Sequence, residues 1–202
     1  MHRFLIIVFL MIALVLVTTE SQDIPSPSLD HYGMEEICAE KLNQQINKEL
    51  EASLVYLHMA GHFRRNDVAK EGFAKFFDAS SKEEAEHARK FIEYITKRGG
   101  SLKSFNVQMP TTNSWQTPLD AFNHAISLEK EVLASIHEVH LKAEHECKDA
   151  HLMDFLESEF MTEQVDSIDE LTRLAAKLKS MEGSNGVGAY LMDREMLKRY
   201  EA

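Results

Sequence analysis

Apolar residues recur at spacings of three and four along most of this chain, which is the period of amphipathic α-helices. The pattern predicts four long helices and a short fifth one, over residues 35–63, 70–98, 118–146, 150–181 and 187–200. We find neither the alternating pattern typical of strands nor an internal repeat. The sequence therefore predicts an all-α fold.

The segment 101–116 has no helical period, and its length decides the topology. Short breaks join the first helix to the second and the third to the fourth, so the members of each pair run antiparallel. A helix of about 28 residues is roughly 42 Å long, and the segment can span up to roughly 55 Å. We therefore predict a four-helix bundle with one long crossover loop and a short fifth C-terminal helix.

The N-terminus has the features of a secretory signal peptide. Basic Met1-His-Arg3 precedes an apolar run from Phe4 to Val17, and small and polar residues follow. The run is shorter than the ~20 residues that a membrane-spanning helix needs, so we expect cleavage, secretion and no stable membrane insertion. An uncleaved anchor is the alternative. The predicted signal peptide, flexible Pro/Ser-rich arm and folded domain are residues 1–21, 22–34 and 35–202.

The charge balance narrows the choice of partners. The formal net charge is −11 at pH 7, which disfavours binding to nucleic acid and to anionic membranes. Such a chain suits a cationic partner, although acidity also serves solubility alone. The length of 202 residues, 44% of them hydrophobic, fits one globular domain with a sizeable core.

Two cysteines, Cys38 and Cys147, lie near the start of the first helix and the end of the third. The crossover topology places these two points at the same end of the bundle. An intrachain disulfide therefore agrees with the geometry in an oxidising compartment. Unpaired thiols and an intermolecular bridge are the alternatives that the sequence leaves open.

The candidate chemistry centres on Glu84-Ala-Glu-His87, because a Glu and a His three residues apart share one helix face. Glu49 and Glu129 interrupt the buried faces of the first and third helices. A buried carboxylate is costly unless a metal or a counter-charge compensates it. The topology brings all four residues to the middle of the bundle, where they suit iron, manganese or zinc.

The second half of this site is less complete. A symmetric di-iron bundle has another Glu-x-x-His on the fourth helix, whereas this chain has Gln164 and Ser167 there. A second metal position would use Glu84, Glu129 and Gln164, which suggests metal that arrives, reacts and leaves. Tyr56 shares a helix face with the buried carboxylate of the first helix and could hydrogen-bond a ligand or donate an electron.

Seven stretches match one family in the same order along the chain. They are Ile46–Leu57, Phe73–Phe76, Glu83–Ala88, Leu128–Lys130, His151–Glu157, Glu163–Val165 and Tyr190–Asp193. Together they resemble ferritins of the iron-oxidising heavy-chain type, and the signal peptide is similar to those of secreted invertebrate ferritins. The resemblance covers nearly all of residues 35–200.

The resemblance implies a ferroxidase centre that binds two iron ions. The residues that it implies for the centre are Glu49, Tyr56, Glu84, His87, Glu129 and Gln164. It further implies oxidation of Fe(II) by O₂ or peroxide and storage as a ferric oxide mineral. The shell that it implies is a 24-mer, built from this chain alone or mixed with a second ferritin subunit.

The resemblance also implies roles for acidic residues outside the centre. Glu83 and Glu86 match acids of the inner cavity wall that help mineral nucleation. Ala79 and Lys82 replace other members of that acidic group, so a solvated helix face is the alternative.

Channel residues are implied at two places in an assembled shell. His151, Asp154 and Glu157 match the three-fold channel, although two acids near a helix start also interact favourably with the helix dipole. The face of Val187, Leu191 and Glu195 matches the four-fold channel. Its permeability is left open, because a His is common where Glu195 stands.

Two rival functions remain at this point. A di-iron oxygenase would need the second Glu-x-x-His, which this chain lacks. A non-enzymatic iron-carrying subunit would lack one or more of Glu49, Glu84, His87 and Glu129, all of which are present.

Overall fold

The computed structural model describes residues 32–112 and 114–200; the predicted signal peptide and all but the last residues of the predicted arm lie outside them. The α-helices are α1 (Glu36–Arg64), α2 (Glu71–Lys97), α3 (Pro118–Lys142), α4 (Ala150–Leu156), α5 (Thr162–Ser180) and α6 (Val187–Arg199). Two π-helical turns, Ala143–Cys147 and Glu157–Met161, directly follow α3 and α4. The described residues contain no strand, and the predicted all-α fold is confirmed.

Helix packing gives the predicted bundle. The first helix, α1, packs along α2 and also contacts α3, while α3 packs against α5. Together α4 and α5 form the fourth helix of the bundle, and α6 packs against α2. The prediction of a four-helix bundle with one long crossover and a short C-terminal helix is therefore confirmed.

The crossover between α2 and α3 follows the surface of α1. Three side chains one helical turn apart on α1 accept hydrogen bonds from its backbone. The acceptors are Asn43, Asn47 and Glu51, and the donors are the N–H groups of Lys103, Asn106 and Gln108, at 2.8, 3.0 and 2.9 Å. Because these backbone groups find partners without secondary structure, the segment stays along the bundle.

The start of α3 has a complete capping box. The Thr117 hydroxyl accepts from the backbone N–H of Asp120 at 3.1 Å, and the Asp120 carboxylate accepts from the N–H of Thr117 at 2.9 Å. Pro118 occupies the first helical position, where its missing N–H costs nothing. These local interactions explain why the crossover ends there.

The fourth helix, predicted over residues 150–181, is helical from Ala150 to Ser180, with a π-helical turn between α4 and α5. Leu152, Leu156, Phe160 and Gln164 are all buried and lie four residues apart. In a regular α-helix each four-residue step overshoots one turn by about 40°, so this series would rotate away from the core. The wider π-helical turn removes that drift and keeps Phe160 and Gln164 on the bundle face.

The third helix, predicted to end at about residue 146, is helical to Cys147 when its last turn is included. Its α-helical part stops at Lys142, and Ala143–Cys147 forms a π-helical turn. Lys148 then adopts the left-handed conformation, with φ of 50°. The structure joins Cys147 to Cys38 in an intrachain disulfide with a Cα–Cα distance of 6.5 Å.

Arg98 ties several segments together at this end of the bundle. Its buried guanidinium donates to the Asp149 carboxylate at 2.8 Å and to the Tyr94 hydroxyl at 2.7 Å. It also donates to the backbone carbonyls of Tyr32 and Gly33. The last residues of the predicted flexible arm are thus held by the bundle.

The core consists of two apolar clusters with a polar layer between them. One cluster contains Tyr56, Phe63, Phe77, Phe122 and Leu171; the other contains Ile46, Ala88, Phe91, Val132 and Phe160. Every bundle helix contributes buried polar residues to this layer. They include Glu49, Glu84, His87, Glu129 and Gln164.

Candidate metal centre

Three side chains of the polar layer converge on one point. Glu49 comes from α1, while Glu84 and His87 come from successive turns of α2. Each offers a ligand atom, and these atoms lie within 4.8 Å of one another. The residues are only 0%, 3% and 5% exposed, respectively. The spacing of three residues on α2 is what places the carboxylate and the imidazole on the same side.

The converging atoms have no hydrogen-bond partner among the described residues. They are Oε2 of Glu49, Oε2 of Glu84 and Nδ1 of His87, and the last two lie 3.4 Å apart. Buried polar atoms in native proteins are almost always satisfied, so this group needs an explanation. Two carboxylate oxygens and an imidazole nitrogen are suitable ligands for a divalent transition metal. The donor set therefore fits a bound cation.

Neighbouring side chains orient this cluster. The amide of Gln45 donates to Oε1 of Glu49 at 2.7 Å, which leaves Oε2 to face the other ligands. Oε2 of Glu163 lies 3.1 Å from Nε2 of His87. A proton held between Nε2 and this carboxylate leaves the Nδ1 lone pair available, which is a common arrangement around metal-binding histidines.

Glu129 belongs to a second, hydrogen-bonded group beside the cluster. The hydroxyl of Tyr56 donates to one of its carboxylate oxygens, and the amide of Gln164 donates to the other. The same amide contacts the backbone carbonyl of Glu129 at 3.2 Å. All six residues predicted for the centre thus lie together, but Glu49, Glu84 and His87 form the group with unpartnered atoms.

Burial and mutual repulsion shift the acids of this layer towards the protonated state. Burial raises the pKa of Glu49 well above its usual value, and the charge of Glu84 adds to the rise. Burial and the charge of Glu129 do the same to the pKa of Glu84. Burial and Glu129 also raise the pKa of Tyr56, so its phenol remains a donor. A positive charge among these carboxylates would remove the cost of ionising them.

A small pocket of about 100 Å³ connects this layer with the surface between α2 and α5. Glu83 lies on its wall. Burial, together with a hydrogen bond and the charge of Glu163, raises the pKa of Glu83 to about 7. Both glutamates are exposed at the surface, but Glu86 does not line the pocket and pairs with Arg89. The structure therefore places the two predicted nucleation acids in different surroundings.

The predicted channel residues lie away from this pocket. His151, Asp154 and Glu157 are all exposed. Nδ1 of His151 lies 3.0 Å from the Tyr94 hydroxyl, and a carboxylate oxygen of Glu157 lies 2.7 Å from Nε2 of His140. His151 and Glu157 thus each have a hydrogen-bond partner within the chain. Within the described residues, no helix combines enough length and apolar character to cross a membrane.

The sequence reasoning missed two residues of the centre. Gln45 precedes Glu49 by four residues, which places them on one helix face, and that spacing was the available signal. Glu163 is adjacent in sequence to Gln164 and carried no signal of its own. Its position beside His87 emerges only when α5 packs against α2.

A four-helix bundle with inward carboxylates and a Glu-x-x-His motif defines the class of ferritin-like carboxylate proteins. A family model described as ferritin, ferritin-like domain, matches residues 39–181. The chain is 45% identical to the soma ferritin of Lymnaea stagnalis over 157 residues, 77% of this chain and 88% of that protein. It is 39% identical to the ferritin heavy chain of Echinococcus granulosus over 171 residues, 85% and 97% of the respective chains. This chain therefore belongs to the ferritin family.

Proposed function

We propose that this chain is an iron-storing ferritin subunit that oxidises Fe(II) to Fe(III) at a di-iron ferroxidase centre. The observation that carries the proposal is the convergence of three buried, unpartnered atoms on Glu49, Glu84 and His87. Membership of the ferritin family supports iron as the cation. The similarity to a protein named ferritin heavy chain supports oxidation as well as storage.

The two iron positions differ in whether their ligand atoms already take part in hydrogen bonds. Glu49, Glu84 and His87 would hold the first Fe(II) without breaking a hydrogen bond. Glu84, Glu129 and Gln164 would hold the second, and Glu129 must first exchange its hydrogen bonds from Tyr56 and Gln164. The second position is therefore the weaker one, which suits iron that passes through.

The redox chemistry belongs to the metal ions, and the protein supplies geometry and charge. Two Fe(II) ions each lose one electron, and O₂ accepts both electrons and two protons to give hydrogen peroxide. The phenol of Tyr56 remains protonated and holds the Glu129 carboxylate until a second Fe(II) displaces this hydrogen bond. The Fe(III) produced would leave the centre and grow as a ferric oxide mineral.

Exposed apolar side chains support assembly into a multi-subunit shell. Leu57 and Met109 line one surface depression together with Leu54 and Pro110, and they are 50% and 70% exposed. Such patches mark protein–protein interfaces. A 24-mer, with this chain alone or beside a second ferritin subunit, is the assembly that we propose, and size-exclusion chromatography with light scattering tests it.

Acidic residues on the surface of the chain would guide iron in this shell. We assign His151, Asp154 and Glu157 to three-fold channels, where repeated carboxylates would attract cations. Glu83 and Glu86 would face the cavity and help nucleation. Substituting Asp154 and Glu157 together by Asn and Gln should slow iron uptake while oxidation of pre-bound iron stays normal.

An extracellular location fits the predicted signal peptide and the disulfide. The predicted signal peptide lies outside the described residues, and the Cys38–Cys147 disulfide suits an oxidising compartment. Expression of the full chain in animal cells, followed by N-terminal sequencing of protein from the medium, tests this proposal. We expect a mature chain that begins near residue 22.

The decisive experiment follows Fe(III) formation by absorbance after Fe(II) is added to the assembled protein in air. We expect rapid oxidation by the wild type. The Glu84→Ala variant should lose nearly all of it and still assemble, because Glu84 is shared by both iron positions. Glu93→Ala is the matched control, since this exposed glutamate lies on the same helix outside the cluster.

The same experiment separates the rival functions. Slow oxidation that is equal in wild type and Glu84→Ala would reject the centre and favour a carrier subunit. Sustained O₂ consumption that depends on an organic substrate rather than on added Fe(II) would instead favour an oxygenase.

A further inference from the structure

A residue that follows the last helix lines the pocket above the metal centre. The wall of this pocket includes the buried residues Tyr56 and Glu129, and also Tyr200. Tyr56 is 1% exposed and Tyr200 is 40% exposed, so the pocket runs from the core to the surface. Among the described residues that line it, Tyr200 alone comes from outside the four bundle helices.

The position of Tyr200 is set by tight packing of α6 on α2. The buried carboxylate of Asp193 accepts from the backbone N–H of Phe73 at 3.0 Å. A Cβ atom at Gly72 would lie 1.9 Å from the backbone oxygen of Asp193, so the two helices meet backbone to backbone. At the far end of α6, Arg199 pairs with Glu170 of α5 at 3.0 Å. These contacts hold the end of α6 beside the gap between α2 and α5.

Tyr200 lines this pocket together with acidic groups from both sides of the gap, Glu83 of α2 and Glu170 of α5. Burial raises the pKa of Tyr200, and the charges of Glu170 and Glu83 raise it further. The phenol is therefore neutral at physiological pH and brings an O–H donor and an aromatic ring to an opening lined by carboxylates. The ring thus lines the same pocket as Glu84 and His87 of the buried cluster.

We propose that Tyr200 is a positioning residue that closes the outer end of the pocket and controls the exchange of metal ions with the buried cluster. The proposal rests on the function proposed above and adds a path by which metal ions reach and leave the buried cluster. The route runs from the cluster of Glu49, Glu84 and His87 to the carboxylates of Glu83 and Glu170, which also line the pocket. Removing the ring lowers a barrier that entry and exit share, so both rates rise while the equilibrium affinity stays nearly constant.

Release of Co(II), handled without oxygen so that it stays divalent, tests the proposal. The assembled protein is loaded with Co(II) and mixed with excess chelator, and the loss of the cobalt absorption bands is followed by stopped flow. We expect Tyr200→Ala to release Co(II) at least about fivefold faster than wild type. Binding should accelerate by a similar factor, with an unchanged Kd from calorimetry.

Two variants act as controls. Tyr200→Phe keeps the ring and should release Co(II) slowly, as wild type does. Tyr190→Ala removes an exposed tyrosine of α6, the helix that precedes Tyr200. Tyr190 does not line the pocket, so this variant should also behave like wild type. If the alanine variant does not assemble, Tyr200→Leu provides the same test, because it keeps apolar bulk but loses the ring.

The outcomes distinguish this proposal from the proposed function. Equal release rates in wild type and Tyr200→Ala would overturn the role of Tyr200 and leave the metal centre standing. A changed Kd with unchanged rate of entry would also overturn it, since that pattern indicates a ligand rather than a barrier. Absence of Co(II) binding in the wild type would overturn the metal centre itself, and the role of Tyr200 with it.

Discussion

The side-chain amide of Gln45 donates a 2.7 Å hydrogen bond to one carboxylate oxygen of Glu49 and leaves the other oxygen without a partner among the described residues. Both side chains are fully buried. Gln45 therefore decides which Glu49 oxygen faces Glu84 and His87. Such outer partners commonly tune metal affinity.

Replacing Gln45 by Leu should weaken metal binding roughly tenfold, because Glu49 then loses both its orientation and a hydrogen bond to its charged form. Titration calorimetry with Co(II) measures the change. Gln44→Leu is the matched control, since the neighbouring amide is exposed. Equal affinity in the two variants would show that Gln45 does not orient the ligand.

Metal binding should strengthen as pH rises towards about 7 and slightly above. Burial raises the pKa values of Glu49 and Glu84, and that of Glu83 is raised to about 7. These acids hold protons that a bound cation displaces, so low pH opposes binding. Calorimetry at pH 6 and pH 7.5, in buffers of different ionisation enthalpy, measures both the affinity and the protons released.

The contribution of Glu83 can be isolated within that measurement. Glu83→Gln should reduce proton release near neutral pH, whereas Glu86→Gln, at an exposed position of the same helix, should not. A binding constant that is independent of pH across this range would contradict the prediction.

The packing of histidines on Trp115 should make the fold less stable in mild acid. The indole N–H donates to Nδ1 of His124 at 3.1 Å, and the ring of His62 packs edge-on against the indole at 5.4 Å. Burial lowers the pKa of both imidazoles, and Arg65 lowers that of His62 further. The unfolded chain therefore binds protons near pH 6.5 that the folded chain excludes, so this contribution destabilises the fold as pH falls through that value.

Unfolding can be monitored by the fluorescence of Trp115, because it is the one tryptophan of the sequence. Urea unfolding monitored by its fluorescence should show a smaller loss of stability from pH 7.5 to 5.5 in His62→Gln than in wild type. His137→Gln, at an exposed position of α3, should retain the wild-type loss. An identical loss in all three proteins would exclude the histidines as its cause.

Two glycine substitutions should have opposite effects. Gly72→Ala brings a Cβ atom to 1.9 Å from the backbone oxygen of Asp193, and neither backbone can yield cheaply, so we expect a loss of at least about 2 kcal/mol. Gly61→Ala meets no atom within 4 Å and should stabilise α1 by up to about 1 kcal/mol. Denaturant unfolding measures both changes, and hydrogen exchange should show faster exchange in α6 for Gly72→Ala only.

The elements of this fold could be predicted because each helix shows its buried face in the sequence. The first helix was predicted over 35–63 and runs over Glu36–Arg64. The π-helical turn before α5 was also readable in principle. Leu152, Leu156, Phe160 and Gln164 are spaced by four three times in succession, which a regular α-helix cannot keep on one face.

Other parts of the site could not be predicted from periodicity. Glu163 lies beside His87 only because α5 packs against α2, and its own neighbourhood in sequence carries no sign of this. Tyr200 reaches the pocket because Gly72 lets α6 approach α2 closely. Such positions depend on contacts between distant segments, whereas helical patterns report only the face of one segment.

The disulfide between Cys38 and Cys147 closes a covalent ring with a sequence separation of 109 residues. The ring contains α1, α2, the crossover and α3, and hence every acidic and imidazole ligand proposed for the centre. Gln164 alone of the proposed ligands lies outside it. A single cut in the exposed crossover would therefore leave Glu49, Glu84, His87 and Glu129 in one covalent unit, and the centre would keep its charged ligands in a nicked subunit.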